Sequence, residues 1–206
     1  MKKIIIFILT FLVIGCNAWI IHKNGLGAMI KGSGNMISES RQISDYYTVK
    51  ITGSLDVDIK AGDRFNCNIK GDDNLVPLVQ TIVSGNILEI FIKESYSTKS
   101  PLVVYLIMPV LQEAQIIGSG DMRIANVTKD KVVLVISGSG DISASGSVGV
   151  LDATVSGSGD MNLKKLQAHH VNVTINGSGD ADVWANQSIS ARVNGSGDII
   201  YIGNPS

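Results

Sequence analysis

Cysteine is scarce in this sequence, with only Cys16 and Cys67 among 206 residues. Cys16 lies directly after an apolar amino-terminal run, so Cys67 alone would remain in the folded part of an exported protein. One cysteine cannot form an intramolecular disulfide, which excludes a disulfide-stapled domain. Cys67 alternates with Phe65 and Ile69, and we interpret it as a small buried apolar residue.

Charged, proline and aromatic residues are also few. Charged residues make up 17% of the chain and the net charge is −1, which gives no electrostatic reason to expect nucleic-acid binding, since that requires a basic face. Four prolines beside 22 glycines exclude a collagen and a proline-rich linker. Aromatic residues, at 5%, leave few platforms on which a sugar ring could stack.

The first residues have the pattern of a bacterial export signal. Two lysines precede an apolar run over residues 4–14, and Gly15 and Cys16 follow. Positive, apolar and small residues in this order are typical of a cleaved signal. The segment "VIGC" resembles a lipobox, which predicts a lipoprotein signal peptide over residues 1–15 and lipidation of Cys16.

On this interpretation residues 16–31 form a lipidated amino terminus and tether. The protein would be a membrane-anchored lipoprotein of the bacterial envelope, on the outer membrane, the cell surface or the periplasmic side. Two alternatives stay open. Residues 4–21 are nearly long enough to act as an uncleaved membrane anchor, and ordinary cleavage after Ala18 is the other.

The tetrapeptide Gly-Ser-Gly-Asp occurs five times in the second half of the chain. The copies begin at Gly118, Gly138, Gly157, Gly177 and Gly195. A nucleotide site needs one glycine-rich loop with a lysine and a following helix. Copies that recur every 18 to 20 residues are instead typical of solenoid repeats. The pattern therefore predicts a repeated structural element rather than a nucleotide-binding site.

Apolar and polar residues alternate on both sides of each tetrapeptide. Before the copy at 157–160 stand Leu151, Ala153 and Val155, and Met161 follows it. This period of two predicts strands with one buried face. Both glycines share the parity of the buried residues, so the chain can bend there with its backbone close to the interior. Each tetrapeptide is therefore predicted to form one corner of a coil.

The sequence predicts an all-β fold, a single-stranded right-handed parallel β-helix (β-solenoid) with coils of about 20 residues stacked about 4.8 Å apart. The segments "VKITGSLDVDI" and "LGAMIKGSGNM" keep the same register and predict further coils upstream. Between them and the repeats, residues 61–109 predict a more irregular β section with a hairpin turn at Gly85-Asn86 and one short helical turn. The last strand leaves an edge through which copies could form a homo-oligomer.

The combined order of motifs resembles the bacterial family described as putative autotransporter adhesin, head GIN domain. The resemblance covers residues 32–206 and rests on "GSGNMISESRQIS", "VKITGSLDVDIKAGD", "LVPLVQTIVSGNILEI", "LIMPVLQEAQIIGSGD", the repeats over 118–198 and "GDIIYIGNPS". It implies a parallel β-helix-like fold in an exported, often lipid-anchored protein. It also implies an adhesin-like role.

The aspartates of the repeats should form one outward column. These residues are Asp121, Asp141, Asp160, Asp180 and Asp198. Adjacent carboxylates about 4.8 Å apart would repel by about 1 kcal/mol in water. Amides freed at the glycine bend can stabilise that charge locally, and a structural Ca²⁺ ion with oxygen ligands is the alternative.

No asymmetric cluster of catalytic groups interrupts the repeats. Polysaccharide lyases and hydrolases need neighbouring carboxylates, or a base beside a cation, and Asp152 and Arg192 are isolated candidates. His169 and His170 are adjacent in a turn, so their side chains should point in opposite directions. We therefore predict a non-catalytic protein without a cofactor. A carbohydrate-active β-helix enzyme and a purely structural spacer are the alternatives.

Outward hydroxyl and amide side chains are the best candidates for ligand contact. They include Ser137, Ser156, Asn176 and Asn194, and Trp184 is the one aromatic residue placed to stack on a sugar. The predicted partner is a glycan or a protein of the envelope or the extracellular space. The membrane would be contacted through the lipid on Cys16.

Overall fold

The computed structural model describes residues 29–206, which fold almost entirely as β-strands. The predicted signal peptide, Cys16 and most of the tether lie outside the described residues. No helix among residues 29–206 has the length and apolar character needed to cross a bilayer.

A 3-10 helix at Val76–Leu78 is the short helical turn expected from the sequence. The strands are β1 Ile30–Lys31, β2 Met36–Arg41, β3 Thr48–Gly53, β4 Asp56–Ala61, β5 Asn66–Asp72, β6 Gln80–Ser84, β7 Ile87–Phe91, β8 Tyr96–Ser97, β9 Val103–Met108, β10 Glu113–Gly118, β11 Met122–Gly138, β12 Ile142–Gly157, β13 Met161–Gly177, β14 Ala181–Gly195 and β15 Ile199–Ile202.

Thirteen strands form one curled sheet, and β1 and β8 form a separate pair. The long strands β11 to β14 each pair in parallel with the next strand along the chain. Each of them runs from one glycine corner, through a looser turn, to the next corner. We call wall A the face made by β7, β3, β10 and the parts of β11–β14 that lead into a corner. Wall B is the face made by β9, β4, the parts of β11–β14 that follow a corner, and β15.

The side chains of alternating parity from both walls form one apolar core. Leu151, Ala153 and Val155 on wall A and Met161 and Leu163 on wall B are all at most 2% exposed, and they belong to a single cluster. The residues that alternate with them along each strand, such as Asp152, Thr154 and Asn162, are half-buried or exposed. The period of two read from the sequence is confirmed, because each β-strand turns successive side chains to opposite faces.

The glycines of the corners stack directly on one another. A Cβ atom added to Gly157 would lie 2.1 Å from the carbonyl oxygen of Gly138, and one added to Gly159 would lie 2.1 Å from that of Gly140. Gly157 also has φ +137°, which L side chains rarely adopt. The corner thus places backbone against backbone, at a distance that no other residue type permits.

The expectation of an all-β fold is confirmed, but the sheet as a whole is mixed rather than that of a parallel β-helix. Antiparallel pairs occur at the amino-terminal end, between β6 and β7, β5 and β9, and β2 and β5. The hairpin turn at Gly85-Asn86 joins β6 to β7 as expected. A stack of parallel strands leaves an unpaired edge that invites association, and these antiparallel strands cover that edge.

The two segments that were predicted to form upstream coils differ in how their strands pair. "VKITGSLDVDI" contributes β3 and β4, which pair in parallel with β10 and β11 and bring Gly53 beside Gly118. This coil is therefore continuous in space with the repeats. The coil expected at "LGAMIKGSGNM" is wrong for its described part, because β1 pairs with β8 outside the main sheet, and β2, which begins at the last residue of the segment, pairs antiparallel with β5. Gly32 packs against the buried Asp72 instead of against another glycine.

Replacing Gly157 or Gly159 by valine should lower the free energy of unfolding by several kcal/mol, because the new Cβ meets a carbonyl oxygen of the previous coil. Ser158 is exposed between them, so Ser158→Val is the matched control and should cost less than about 0.5 kcal/mol. Urea unfolding of the three variants measures the difference. Equal stability of the glycine variants and the control would contradict the stacked corner.

Candidate functional site

The corner aspartates from Asp121 to Asp180 each accept a hydrogen bond from the backbone of the next coil. The Oδ1 atom of one aspartate accepts a hydrogen bond from the backbone N–H of its successor. The N···Oδ1 distances are 3.1 Å from Asp141 to Asp121, 2.8 Å from Asp160 to Asp141, 2.8 Å from Asp180 to Asp160 and 2.8 Å from Asp198 to Asp180. We call this column the aspartate ladder.

The aspartate ladder begins one coil before the first Gly-Ser-Gly-Asp copy. Asp56 accepts the N–H of Asp121 at 3.0 Å. Asp56 is not among the aspartates predicted from the sequence, because Leu55 replaces the second glycine of the motif there. The signal was nevertheless present, since Asp56 follows Gly53 at the same spacing of three residues.

The aspartate ladder supplies an acceptor for one backbone N–H at each of the five glycine corners, that of the aspartate itself. In each step the acceptor is a carboxylate and the donor a backbone N–H, a pairing that is stronger than one between neutral groups. A groove of about 410 Å³ runs beside the carboxylates and also includes Asp182. No group of three or more His, Cys, Asp or Glu side chains in residues 29–206 is arranged to hold a metal ion. A structural Ca²⁺ ion on this column stays a prediction.

Wall A carries on its outer face a regular grid of side chains, which are polar on β12, β13 and β14 and include two valines on β11. The parallel register aligns them in columns that cross β11 to β14. The columns are Val133, Asp152, Asn172 and Ser190; Val135, Thr154, Thr174 and Arg192; and Ser137, Ser156, Asn176 and Asn194. The structure thus brings together the four hydroxyl and amide residues named from the sequence, together with Asp152 and Arg192.

Short polar contacts fix several of these side chains. Asp152 accepts a hydrogen bond from Asn172 at 2.7 Å and lies 2.6 Å from the Lys131 ammonium. Asn194 donates to the Oδ1 atom of Asn176 at 2.8 Å. The hydrogen bond from Lys131, together with that from Asn172, lowers the pKa of the Asp152 carboxyl below its usual value. Asp152 is therefore a charged member of the wall rather than a proton donor.

Trp184 and His170, two further candidates from the sequence, contact separate neighbours. Trp184 lies on wall B beside Gln167, half-buried, and its Nε1–H donates to Asn186 Oδ1 at 2.9 Å. Trp184 is not part of the wall A grid. A contact between Trp184 and a glycan stays a prediction. His170 Nδ1 is 2.8 Å from the Ser188 hydroxyl.

Cys67 is buried, as expected for a small apolar residue. Only 1% of its surface is exposed, and burial raises the pKa of its thiol to about 11. The thiol is thus protonated at neutral pH, which is the unreactive form.

Comparison with known proteins now identifies the family. The family model described as "Putative auto-transporter adhesin, head GIN domain" matches residues 45–205. The chain belongs to this family. The matched region includes both walls, the aspartate ladder and all five glycine corners. Among curated proteins, none matches this chain.

Solved structures of similar fold come from Bacteroides and Parabacteroides species. A "putative adhesin" from Bacteroides fragilis has 23% identity and a TM-score of 0.69, over 86% of this chain and 93% of that one. A "Putative lipid binding protein" from Parabacteroides distasonis has 23% identity and a TM-score of 0.60, over 86% and 94%. A "putative adhesin" from Parabacteroides merdae has 16% identity and a TM-score of 0.51, over 86% and 93%. At these identities the likeness concerns the fold.

Removing one carboxylate from the aspartate ladder should weaken the head GIN domain. Asp160→Ala deprives the Asp180 N–H of its acceptor and should lower the free energy of unfolding by about 1 kcal/mol. Asp160→Asn keeps an acceptor oxygen and should cost less. Thermal unfolding of the variants makes the comparison.

Asp198 is the matched control, because its carboxylate accepts no hydrogen bond from the described residues. Asp198→Ala should therefore change the free energy of unfolding by less than about 0.5 kcal/mol. An equal loss for Asp160→Ala and Asp198→Ala would show that the ladder contributes nothing.

Proposed function

We propose that this head GIN protein is an exported, non-catalytic binding protein of the cell envelope, adhesin-like in role, which contacts a glycan or a protein through wall A. The observation that carries the proposal is the in-register polar grid of wall A. The family description and two of the similar structures, which are named as adhesins, support the same role.

The grid suits a repetitive polar ligand. Its donors and acceptors repeat about 4.8 Å apart across the strands, which follows from strand pairing. Because the strands lie on a buried core and side chains such as Asp152 and Asn176 are held by neighbours, little conformational freedom is lost on binding. A rigid surface of hydroxyls and amides therefore favours an extended polyhydroxylated or polar partner.

We also propose that the scaffold is a β-solenoid. The repeats and the coil at β3–β4 would form coils of about 20 residues, capped by antiparallel strands. The opposite end carries exposed apolar side chains at Ile200 and Tyr201. That edge is the place where copies of the chain would associate.

We further propose that the protein is a lipoprotein anchored through Cys16. The lysines, the apolar run and "VIGC" support cleavage before Cys16 and lipidation of its thiol. Such an anchor leaves the β-domain on a tether beside the membrane, where an adhesin-like protein would meet its partner.

Thr174→Arg should abolish or strongly reduce ligand retention, because a long charged side chain would cover the centre of the wall A grid. Immobilised wild-type and variant protein, probed with a glycan array and with envelope extracts, provide the measurement. We expect at least about a tenfold loss, which corresponds to about 1.4 kcal/mol.

Ser147→Arg is the control, since Ser147 is exposed in the looser turn, away from wall A. Equal retention by wild type and both variants counts against wall A as the binding surface. Release of reducing ends from a polysaccharide would support the enzyme alternative instead.

Cells that express the full chain should incorporate radiolabelled palmitate, and Cys16→Ala should lose the label because its thiol is the acceptor. Protease treatment of intact cells then reports whether the β-domain faces outward. Label that persists in Cys16→Ala would refute lipidation at this residue.

A further inference from the structure

A second surface, on wall B, has a different chemistry from wall A. A groove of about 600 Å³ crosses the outer face of β9, β4, β11, β12 and β13. Its lining comes from two adjacent columns. One column is Tyr105, Asp58, Arg123, Ser143 and Asn162, and the other, which crosses a register shift after Ile124, is Ile107, Lys60, Ala125, Ser145 and Lys165.

Three of the residues that line the middle strands of the groove are small, and they lie beside the longer Lys60 and Arg123. Ala125, Ser143 and Ser145 occupy the centre of the two columns, whereas Tyr105 and Lys165 stand at the two ends. Between the columns, the floor is formed by Ile59, Leu106, Ile124 and Ala144. The result is an apolar trough, open along one side, within the volume range of small-molecule sites.

The length of the groove matches one acyl chain. Five strands with four spacings of about 4.8 Å span about 19 Å. The hydrocarbon core of a bilayer is about 30 Å thick, so the chain of one leaflet spans about 15 Å. A trough of this length therefore accommodates a single long chain lying across the strands.

Positive charge is concentrated on the rim of the groove. Lys60, Arg123 and Lys165 line it, against the one carboxylate of Asp58. Asp58 lies 3.4 Å from the Arg123 guanidinium, so these two charges offset each other. Within residues 29–206, neither Lys60 nor Lys165 has a carboxylate at ion-pair distance. Their aliphatic stems add apolar surface while the ammonium groups stay in water.

We propose that this groove binds one long-chain fatty acid, with its carboxylate at Lys165 and its methyl end toward Tyr105. Lys165 supplies the counter-charge, and the Ser145 hydroxyl and the Asn162 amide supply hydrogen-bond donors. At the opposite end, β9 contributes Tyr105, Leu106 and Ile107 and no charged side chain to the lining, whereas the neighbouring strand β4 contributes Asp58 and Lys60, whose charges have opposite sign. The proposal concerns wall B and does not depend on ligand binding by wall A.

Photo-crosslinking tests the site and the orientation together. The full chain in lipid nanodiscs is incubated with myristate that carries a diazirine at its methyl end, and labelled peptides are mapped by mass spectrometry. We expect saturable labelling within residues 103–108, since the methyl end lies against β9. Excess myristate should compete, whereas tetradecanol, which has the same chain without the charge, should compete about fivefold less well.

Two neighbouring lysines provide a matched pair of variants. Lys165→Gln should reduce labelling about fivefold. Lys164→Gln removes the same charge from a side chain that pairs with Asp182 at 2.8 Å and does not line the groove, so it should leave labelling unchanged. Ser145→Trp should fill the trough and abolish labelling, and Thr174→Arg on wall A should have no effect. Circular dichroism verifies that each variant is folded.

Several results would overturn the proposal. They are labelling that does not saturate, labels spread outside the groove strands, equal labelling of Lys165→Gln and Lys164→Gln, and equal competition by tetradecanol and myristate. Loss of glycan or protein retention by Thr174→Arg with intact myristate labelling would support two separate sites. If wall A binds no partner, the labelling test of the wall B groove is unaffected, because the two proposals concern different surfaces.

Discussion

The close approach of backbone to backbone at the glycine corners is the constraint on which the structure depends. Gly157 packs on Gly138, and Gly159 on Gly140, at separations that leave no room for a Cβ atom. Because every coil meets its neighbour in this way, the corners set the register of both walls. A shift of one residue would move the apolar side chains to the solvent, so the corner also specifies which face is buried.

The bend at each corner frees polar backbone groups, and the aspartate ladder satisfies one of them in every coil. A carboxylate such as Asp160 accepts the N–H of Asp180 at 2.8 Å, so a residue that looks like a metal ligand in the sequence has a backbone partner in the fold. The ladder continues to Asp56, and the coil of β3 and β4 therefore belongs to the same stack as the repeats.

The regular stack leaves two outer faces whose chemistries differ. On wall A, hydroxyls and amides such as Thr154 and Asn176 stand in register and form a polar grid. On wall B, small residues such as Ala125 and Ser145 lie beside longer side chains in the lining of a groove. One scaffold thus presents a flat polar surface and an apolar trough, because strand alternation lets the outer positions vary without changing the core.

The sequence by itself determined the features that depend on neighbouring residues along the chain. Alternation around each tetrapeptide predicted the strands and the buried set, and the two glycines predicted the corner, because period and backbone freedom are local properties. Tertiary structure alone decided how distant segments pair. It placed β3 beside β10, made β2 antiparallel to β5, and joined Lys60, Arg123 and Lys165 around one groove. Pairing between segments far apart in the chain depends on which edges are free in the folded molecule, and no local pattern encodes that.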